Sequence, residues 1–173
     1  MDYRFEKLTS TYELQVTFAD GRAIHTVVKR QDGSTSDANW TSDWNATVSV
    51  MTGGVIYPHS GLFQFPLDVG KTYESRFEMA HGKVRQKQEH LVRVAGWEDV
   101  VVPAGQFRAI RLDSEGTYQR LDRYMTGTVR TSTWYVPEVK RWVKYVYESD
   151  VQAGGPVGPY LKIGEELVLF RVD

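Results

Sequence analysis

The stretch Tyr73-Glu74-Ser75-Arg76-Phe77-Glu78-Met79-Ala80-His81-Gly82-Lys83-Val84-Arg85-Gln86-Lys87-Gln88-Glu89-His90-Leu91-Val92-Arg93-Val94 decides the fold class. Tyr73, Ser75, Phe77 and Met79 alternate with Glu74, Arg76 and Glu78. Beyond His81-Gly82, the residues Val84, Gln86, Gln88, His90, Val92 and Val94 fall on one face. Lys83, Arg85, Lys87, Glu89, Leu91 and Arg93 fall on the other. Side chains two apart share a face only in an extended chain, so both runs read as strands with one buried side. The His81-Gly82 pair supplies the positive φ that a tight connection needs. The stretch is an antiparallel hairpin, and the inner face of its second strand is partly polar.

The same reading extends outward. Tyr12, Leu14, Val16 and Phe18 alternate with Glu13, Gln15 and Thr17. Further strand candidates are 2–8, 23–30, 46–51, 97–102, 106–114, 117–125, 128–136, 142–149 and 161–172. Asp20-Gly21, Asp32-Gly33, Pro103-Ala104-Gly105, Ser114-Glu115-Gly116 and Met125-Thr126-Gly127 read as turns between them. Short turns between consecutive strands imply antiparallel meanders. The expected fold is mainly β: one antiparallel, strongly curved sheet or incomplete β-barrel with little helix, forming a single domain over 1–173.

Composition agrees. The chain holds 22 Val, 4 Ile and 14 Thr against 9 Ala and 10 Leu, and 22 of its 173 residues are aromatic. Branched and aromatic side chains suit a pleated, half-buried surface. Net charge is −1, from 21 basic and 22 acidic residues, which excludes a strongly basic nucleic-acid binder. Lys83, Arg85 and Lys87 share a strand face that reads as a solubilising surface. With no cysteine there is no disulfide framework, thiolate metal site or cysteine nucleophile. The residues from Met1 lack the apolar run of a signal peptide, and no stretch reaches the roughly 18 apolar residues of a membrane span.

Two stretches break the alternation. Residues 52–72, with Gly53-Gly54, Pro58, Gly61, Pro66 and Gly70, read as a long crossing loop, and such loops often carry function. Residues 153–160 read as a linker before the last strand.

Trp97-Glu98-Asp99-Val100-Val101-Val102-Pro103-Ala104-Gly105-Gln106-Phe107-Arg108-Ala109-Ile110 carries a resemblance. It is joined by Phe65-Pro66-Leu67-Asp68-Val69-Gly70-Lys71-Thr72-Tyr73, Trp134-Tyr135-Val136-Pro137-Glu138-Val139 with Val143-Lys144, and Glu165-Glu166-Leu167-Val168. In this order, over about 57–172, these segments resemble a family of uncharacterised bacterial envelope proteins with a V-x-V-P-A-G-x-F-x-A core. That family is similar in fold to the half-barrels of lipoprotein carriers. The resemblance implies a curved sheet and a periplasmic or envelope-attached home, and it transfers no catalytic residue. Lys140-Arg141-Trp142 stands where the family pattern has a Gly-rich link. The first 55 residues lie outside the resemblance.

The residues that could carry chemistry are few. His25, His59, His81 and His90 lack metal-ligand spacing. His81 fits a turn, and His90 reads as a hydrogen-bonded interior residue. His59, in Tyr57-Pro58-His59-Ser60-Gly61, is the least explained. There is no nucleophile elbow, no phosphate loop and no paired carboxylates, so neither a catalytic residue, a metal nor a cofactor is assigned. Asn39-Trp40-Thr41 and Asn45-Ala46-Thr47 match the glycosylation sequon, a short pattern read as chance.

Aromatic residues supply the candidate site. A concave sheet with no helix to fill it is expected to leave an apolar pocket with a few polar groups. Phe77, Met79, Trp134 and Trp142 are the candidates for its wall. Trp40 and Trp44, among polar neighbours, are the candidates for its mouth. The expected function is a non-catalytic binding or carrier domain for an apolar or amphipathic small molecule in the cell envelope. The alternative is a protein-interaction module, taking another envelope protein on a sheet edge or on the 52–72 loop.

Overall fold

The computed structural model describes residues 11–152 and 161–171. The strand expected over 2–8 and the linker at 153–160 lie outside the described residues. Eleven strands form one sheet: β1 (Tyr12–Ala19), β2 (Ala23–Arg30), β3 (Thr35–Thr41), β4 (Ala46–Val48), β5 (Val55–Tyr57), β6 (Thr72–His81), β7 (Val84–Val102), β8 (Gly105–Arg120), β9 (Met125–Val136), β10 (Arg141–Gln152) and β11 (Leu161–Glu166). Spatial order follows chain order throughout, every pairing is antiparallel, and the described residues contain no helix. Among the described residues no ladder joins β1 to β11, so the sheet is open. Extra residues in β1, β4, β7 and β10 shift the register and bend it, because an extra residue on one strand sharpens the local twist.

The expected hairpin of 73–94 is present with His81-Gly82 at its turn. Its second strand runs on to Val102 through a bulge at Gly96, joining the two strands expected at 84–94 and 97–102. Likewise 106–114 and 117–125 merge into β8, so the turns expected at 114–116 and 125–127 do not exist. The chain reverses instead at Leu121–Tyr124. β3 was not expected, because its sequence Thr-Ser-Asp-Ala-Asn-Trp-Thr is mostly polar. It pairs along its whole length with β2, burying Ala38 and Trp40. The crossing loop contains β5, and the final strand stops at Glu166.

Residues directly opposite in the ladders share a face, and this fixes two packed layers. On the inner, concave face Val92, Val94, Ile110 and Leu112 pack against Phe63 from the crossing loop, with Trp44, Leu62, Tyr73, Tyr135 and Trp142 around them. Ile24, Val28, Ala38 and Trp40 continue this face through β2 and β3. On the outer face at one end, Val100, Val102, Ala109, Val136 and Val143 are covered by the segment after β11. Leu167 is bonded there to Val143 and Ala104, and Phe170 lies against Phe107.

The crossing loop therefore covers the inner face over Val92, Val94, Ile110 and Leu112. Phe63 is 3% exposed. Asn45 grips its backbone twice: Asn45 Nδ2 donates to Phe63 C=O and Phe63 N–H donates to Asn45 Oδ1, each at 2.7 Å. Tyr73 Oη donates to Leu62 C=O and Ser75 Oγ donates to Ser60 C=O, both at 2.6 Å. Gly61 has φ 61°, and a Cβ there would run into Ser75 Oγ, so only glycine lets the loop lie this close to β6.

Candidate functional site

The six candidate residues divide into three places. Phe77 and Met79 lie half-buried on the inner face of β6, opposite Gln88 and Gln86 of β7. The Phe77 ring stacks on His90, with centroids 5.6 Å apart and planes 8° from parallel. Next along the sheet, β8 and β9 carry glycines where rings need room. A Cβ at Gly116 would strike Glu89 C=O and then the His90 ring, and one at Gly127 would strike Asp150 C=O and then the Tyr118 ring. Each glycine thus leaves room for the ring of its cross-strand neighbour, and Tyr118 Oη donates to Asp150 C=O at 3.3 Å. This end of the inner face is an aromatic floor.

A polar row crosses the floor. His90 Nε2 meets Gln88 Oε1 at 2.9 Å, His90 Nδ1 meets Ser114 Oγ at 3.4 Å, and Ser114 Oγ meets Thr131 Oγ1 at 2.7 Å. Burial alone pushes His90 down to about 4, so the ring is neutral at pH 7. Ser114 is 4% exposed, and its hydroxyl is already engaged by Thr131. The expectation of an interior, hydrogen-bonded His90 is met by these partners.

Trp40, Trp44 and Trp142 come together some way along the face. The Trp40 and Trp44 rings are 5.6 Å apart, and Trp44 sits in a left-handed turn at φ 61°. The Arg141 guanidinium lies over all three indoles, at 4.6, 4.8 and 4.7 Å from the rings of Trp40, Trp44 and Trp142. Burial pushes Arg141 down to about 10, with Tyr12 and Glu165 acting the other way. Its Nη1 has no hydrogen-bond partner, so the indole faces provide the compensation for a desolvated cation. Trp40 Nε1 donates to Thr26 Oγ1 at 3.2 Å. These tryptophans clamp the amino-terminal strands to β10 and do not form a mouth.

Trp134 is elsewhere. It opposes Arg111 and Lys144, whereas its neighbour Tyr135 opposes Ile110 and Trp142. It therefore points to the outer face, away from Phe77 and Trp142, and cannot share their wall. There Trp134 Nε1 donates to Glu98 Oε1. Glu98 also pairs with Arg111 at 3.1 Å, and Arg111 pairs with Asp113 at 3.2 Å. The reason is parity: Trp134 and Trp142 are an even number apart, but they stand on different strands with a bulge between Trp142 and Lys144.

Two hollows stand out among the described residues. One, of about 400 Å³, lies at the Gln119–Thr126 hairpin end and is lined by charged and polar groups with Leu121, Tyr124 and Met125. The other, of about 200 Å³, lies between Pro58–Gln64 of the crossing loop and Tyr73–Arg76 of β6. Neither touches any of the six candidate residues, so the enclosed apolar pocket expected behind them is not one of these hollows. The second contains His59, whose Nδ1 accepts from Gly61 N–H at 3.1 Å. Among the described residues no group of three His, Asp or Glu side chains is placed to hold a metal ion, and no helix is long and apolar enough to cross a membrane. Asn45 of the second sequon is 3% exposed with its amide committed to Phe63.

Sequence reasoning missed Arg141, Phe63, Gly116 and Gly127 as site-forming residues. Phe63 and Arg141 stand in segments without alternation. The glycines resemble turn formers until the register sets an aromatic ring beside each.

No protein-family model matches the chain, and no curated protein matches it. A solved structure, described as a "putative lipoprotein" from Parabacteroides distasonis, is similar over 91% of this chain and 86% of its own, at 15% identity and a TM-score of 0.47.

Proposed function

We propose that this protein is a binding domain of the bacterial cell envelope that performs no chemistry of its own and takes an apolar or amphipathic small molecule against its concave face. The observation that carries the reading is the aromatic floor of Phe77, His90 and Tyr118, with His90 beside Gly116 and Tyr118 beside Gly127. The crossing loop packs its apolar side chains on Val92, Val94, Ile110 and Leu112, at the border of this floor. Aromatic rings with neutral polar groups between them suit an apolar chain or ring with few hydrogen-bonding groups. The polar row supports binding over catalysis. An imidazole held near 4 is a weak base, and Ser114 is buried and already bonded.

A dansyl-labelled fatty acid is the probe. Saturable fluorescence enhancement, displaced by unlabelled fatty acid, is expected. Phe77→Ala should weaken binding about tenfold, a loss of about 1.4 kcal/mol. Trp134→Ala, on the outer face, should leave it unchanged. Absence of saturable binding, or equal losses in both variants, would overturn the reading. The envelope location rests on the sequence resemblance, and recovery of the natural protein from the cytosolic fraction of its cells would refute it. The second reading, a protein-interaction module, is favoured by the unpaired edge of β6.

A further inference from the structure

The sheet has a notch. β4 and β5 are three residues each, whereas β6 has ten, so most of the edge of β6 that faces β5 has no strand beside it. The backbone direction along that edge follows from the register. Val94 N–H donates to Lys71 C=O, and Thr72 stands opposite Arg93. Alternate residues Tyr73, Ser75 and Phe77 therefore bond towards β7. Thr72, Glu74, Arg76, Glu78 and Ala80 turn their N–H and C=O groups the other way. β5 meets Glu78 and Ala80 and ends there. Among the described residues no backbone or side-chain group is hydrogen-bonded to the main chain of Glu74 or Arg76 on the open side.

Beside these groups lies the hollow of about 200 Å³, lined by Tyr73–Arg76 of β6 and by the crossing loop between Pro58 and Gln64. Glu74 and Arg76 are ion-paired at 2.8 Å on the solvent side, so the edge shows one acidic and one basic side chain two residues apart. Two donors and two acceptors repeating every two residues, about 7 Å apart, match the main chain of another strand. An aliphatic ligand would leave them unmet.

We infer that the Glu74–Arg76 edge of β6 is a docking slot for an extended segment of a partner protein, added as a short antiparallel strand with an acidic residue opposite Arg76 and a basic residue opposite Glu74. Main-chain hydrogen bonds supply the affinity in such strand addition, and the side chains on the facing surface supply the selectivity. The slot spans Tyr73–Phe77, up to where β5 pairs with Glu78, so the segment has about five residues. This site is the main-chain edge of the strand whose Phe77 belongs to the aromatic floor, and it does not depend on a ligand there.

Amide hydrogen exchange of the free protein is the first test. Glu74 and Arg76 amides should exchange quickly while Ser75 and Phe77 amides are protected. If all four are equally slow, the edge is already covered and the inference fails. The probe is then acetyl-Thr-Glu-Thr-Lys-Thr-amide. It should slow exchange at Glu74 and Arg76 and shift the amides of His59 and Gly61 saturably. Arg76→Pro removes one free donor and leaves the ladder to β7 intact. It should weaken binding about tenfold with the circular dichroism and thermal midpoint unchanged. Should the proline disturb folding, the charge exchange Glu74→Arg with Arg76→Glu decides, because it should prefer acetyl-Thr-Lys-Thr-Glu-Thr-amide. No protection by either peptide, the same protection in all variants, or protection that rises with protein concentration in the absence of peptide would overturn the inference. The last outcome would assign the edge to a second copy of the chain.

Discussion

Lys140 occupies a backbone conformation that normally selects glycine. Its φ is 57°, in the turn closed by Lys140 N–H donating to Pro137 C=O. The left-handed region costs an L-residue about 1–2 kcal/mol, and the larger unfolded-state entropy of glycine returns about 0.4–1 of that. Lys140→Gly should therefore stabilise the fold by about 0.5–1 kcal/mol, read from the urea midpoint at constant slope. His90 makes a pH-dependent prediction. The folded chain holds it near 4 by burial, against about 6.5 in an unfolded chain. Between these values the unfolded state binds the extra proton, so stability is complete above pH 6.5 and falls as pH drops towards 4. The full loss is about 3 kcal/mol. Gln88, Ser114 and Phe77 surround the ring and none is charged. A His90→Asn variant should be less sensitive than the parent across this window, in urea titrations at stepped pH. A parallel pair of curves would show that His90 is not the titrating group.

Among the elements, the crossing loop has the clearest energetic role. Phe63 is its anchor in the concave face, stacked near Phe65 and tilted against Tyr135 at 5.4 Å. Phe63→Ala should cost about 3–5 kcal/mol, because the rigid sheet beneath cannot collapse into the space. Loss of less than about 1 kcal/mol would mean that the loop rests on the sheet without filling it. Alternation identified the buried faces of β6 and β7, but in β1 it held only for Tyr12 and Leu14, because Val16 and Phe18 stand exposed beyond the packed part of the strand. The merged length of β8 and the position of its turn were not visible, since Gly116 and Gly127 have the composition of turns. Their function is to leave space for the rings of His90 and Tyr118 across the ladder, and this depends on which residues stand opposite.

At the level of the whole molecule, the sheet has two ends that meet through side chains. β1 and β11 are the first and last strands, and no ladder joins them. Tyr12 Oη donates to Glu165 Oε2 at 2.9 Å across 153 residues of sequence. Nearby, Arg141 of β10 lies on Trp40 and Trp44. Burial raises the Glu165 carboxyl, while the Tyr12 hydrogen bond and Arg141 work against that rise. Tyr12→Phe leaves the half-buried carboxylate without this donor and should cost about 1–3 kcal/mol. It should also move the Glu165 titration upward, observed by carboxyl ¹³C shifts. An unchanged titration would show that the seam is held without this bond.

The sequence by itself determined the fold class, because the alternation of apolar and polar side chains and the Gly-containing turns are local properties of an extended chain. It placed Phe77, Met79 and His90 on buried strand faces for the same reason. Only the tertiary structure decided that Trp134 turns outward, that Trp40, Trp44 and Trp142 enclose Arg141, and that Phe63 fills the concavity. Each of these depends on register, bulges and the path of an irregular loop. A one-residue shift in any of them reverses the face of every side chain that follows, and no local pattern records it.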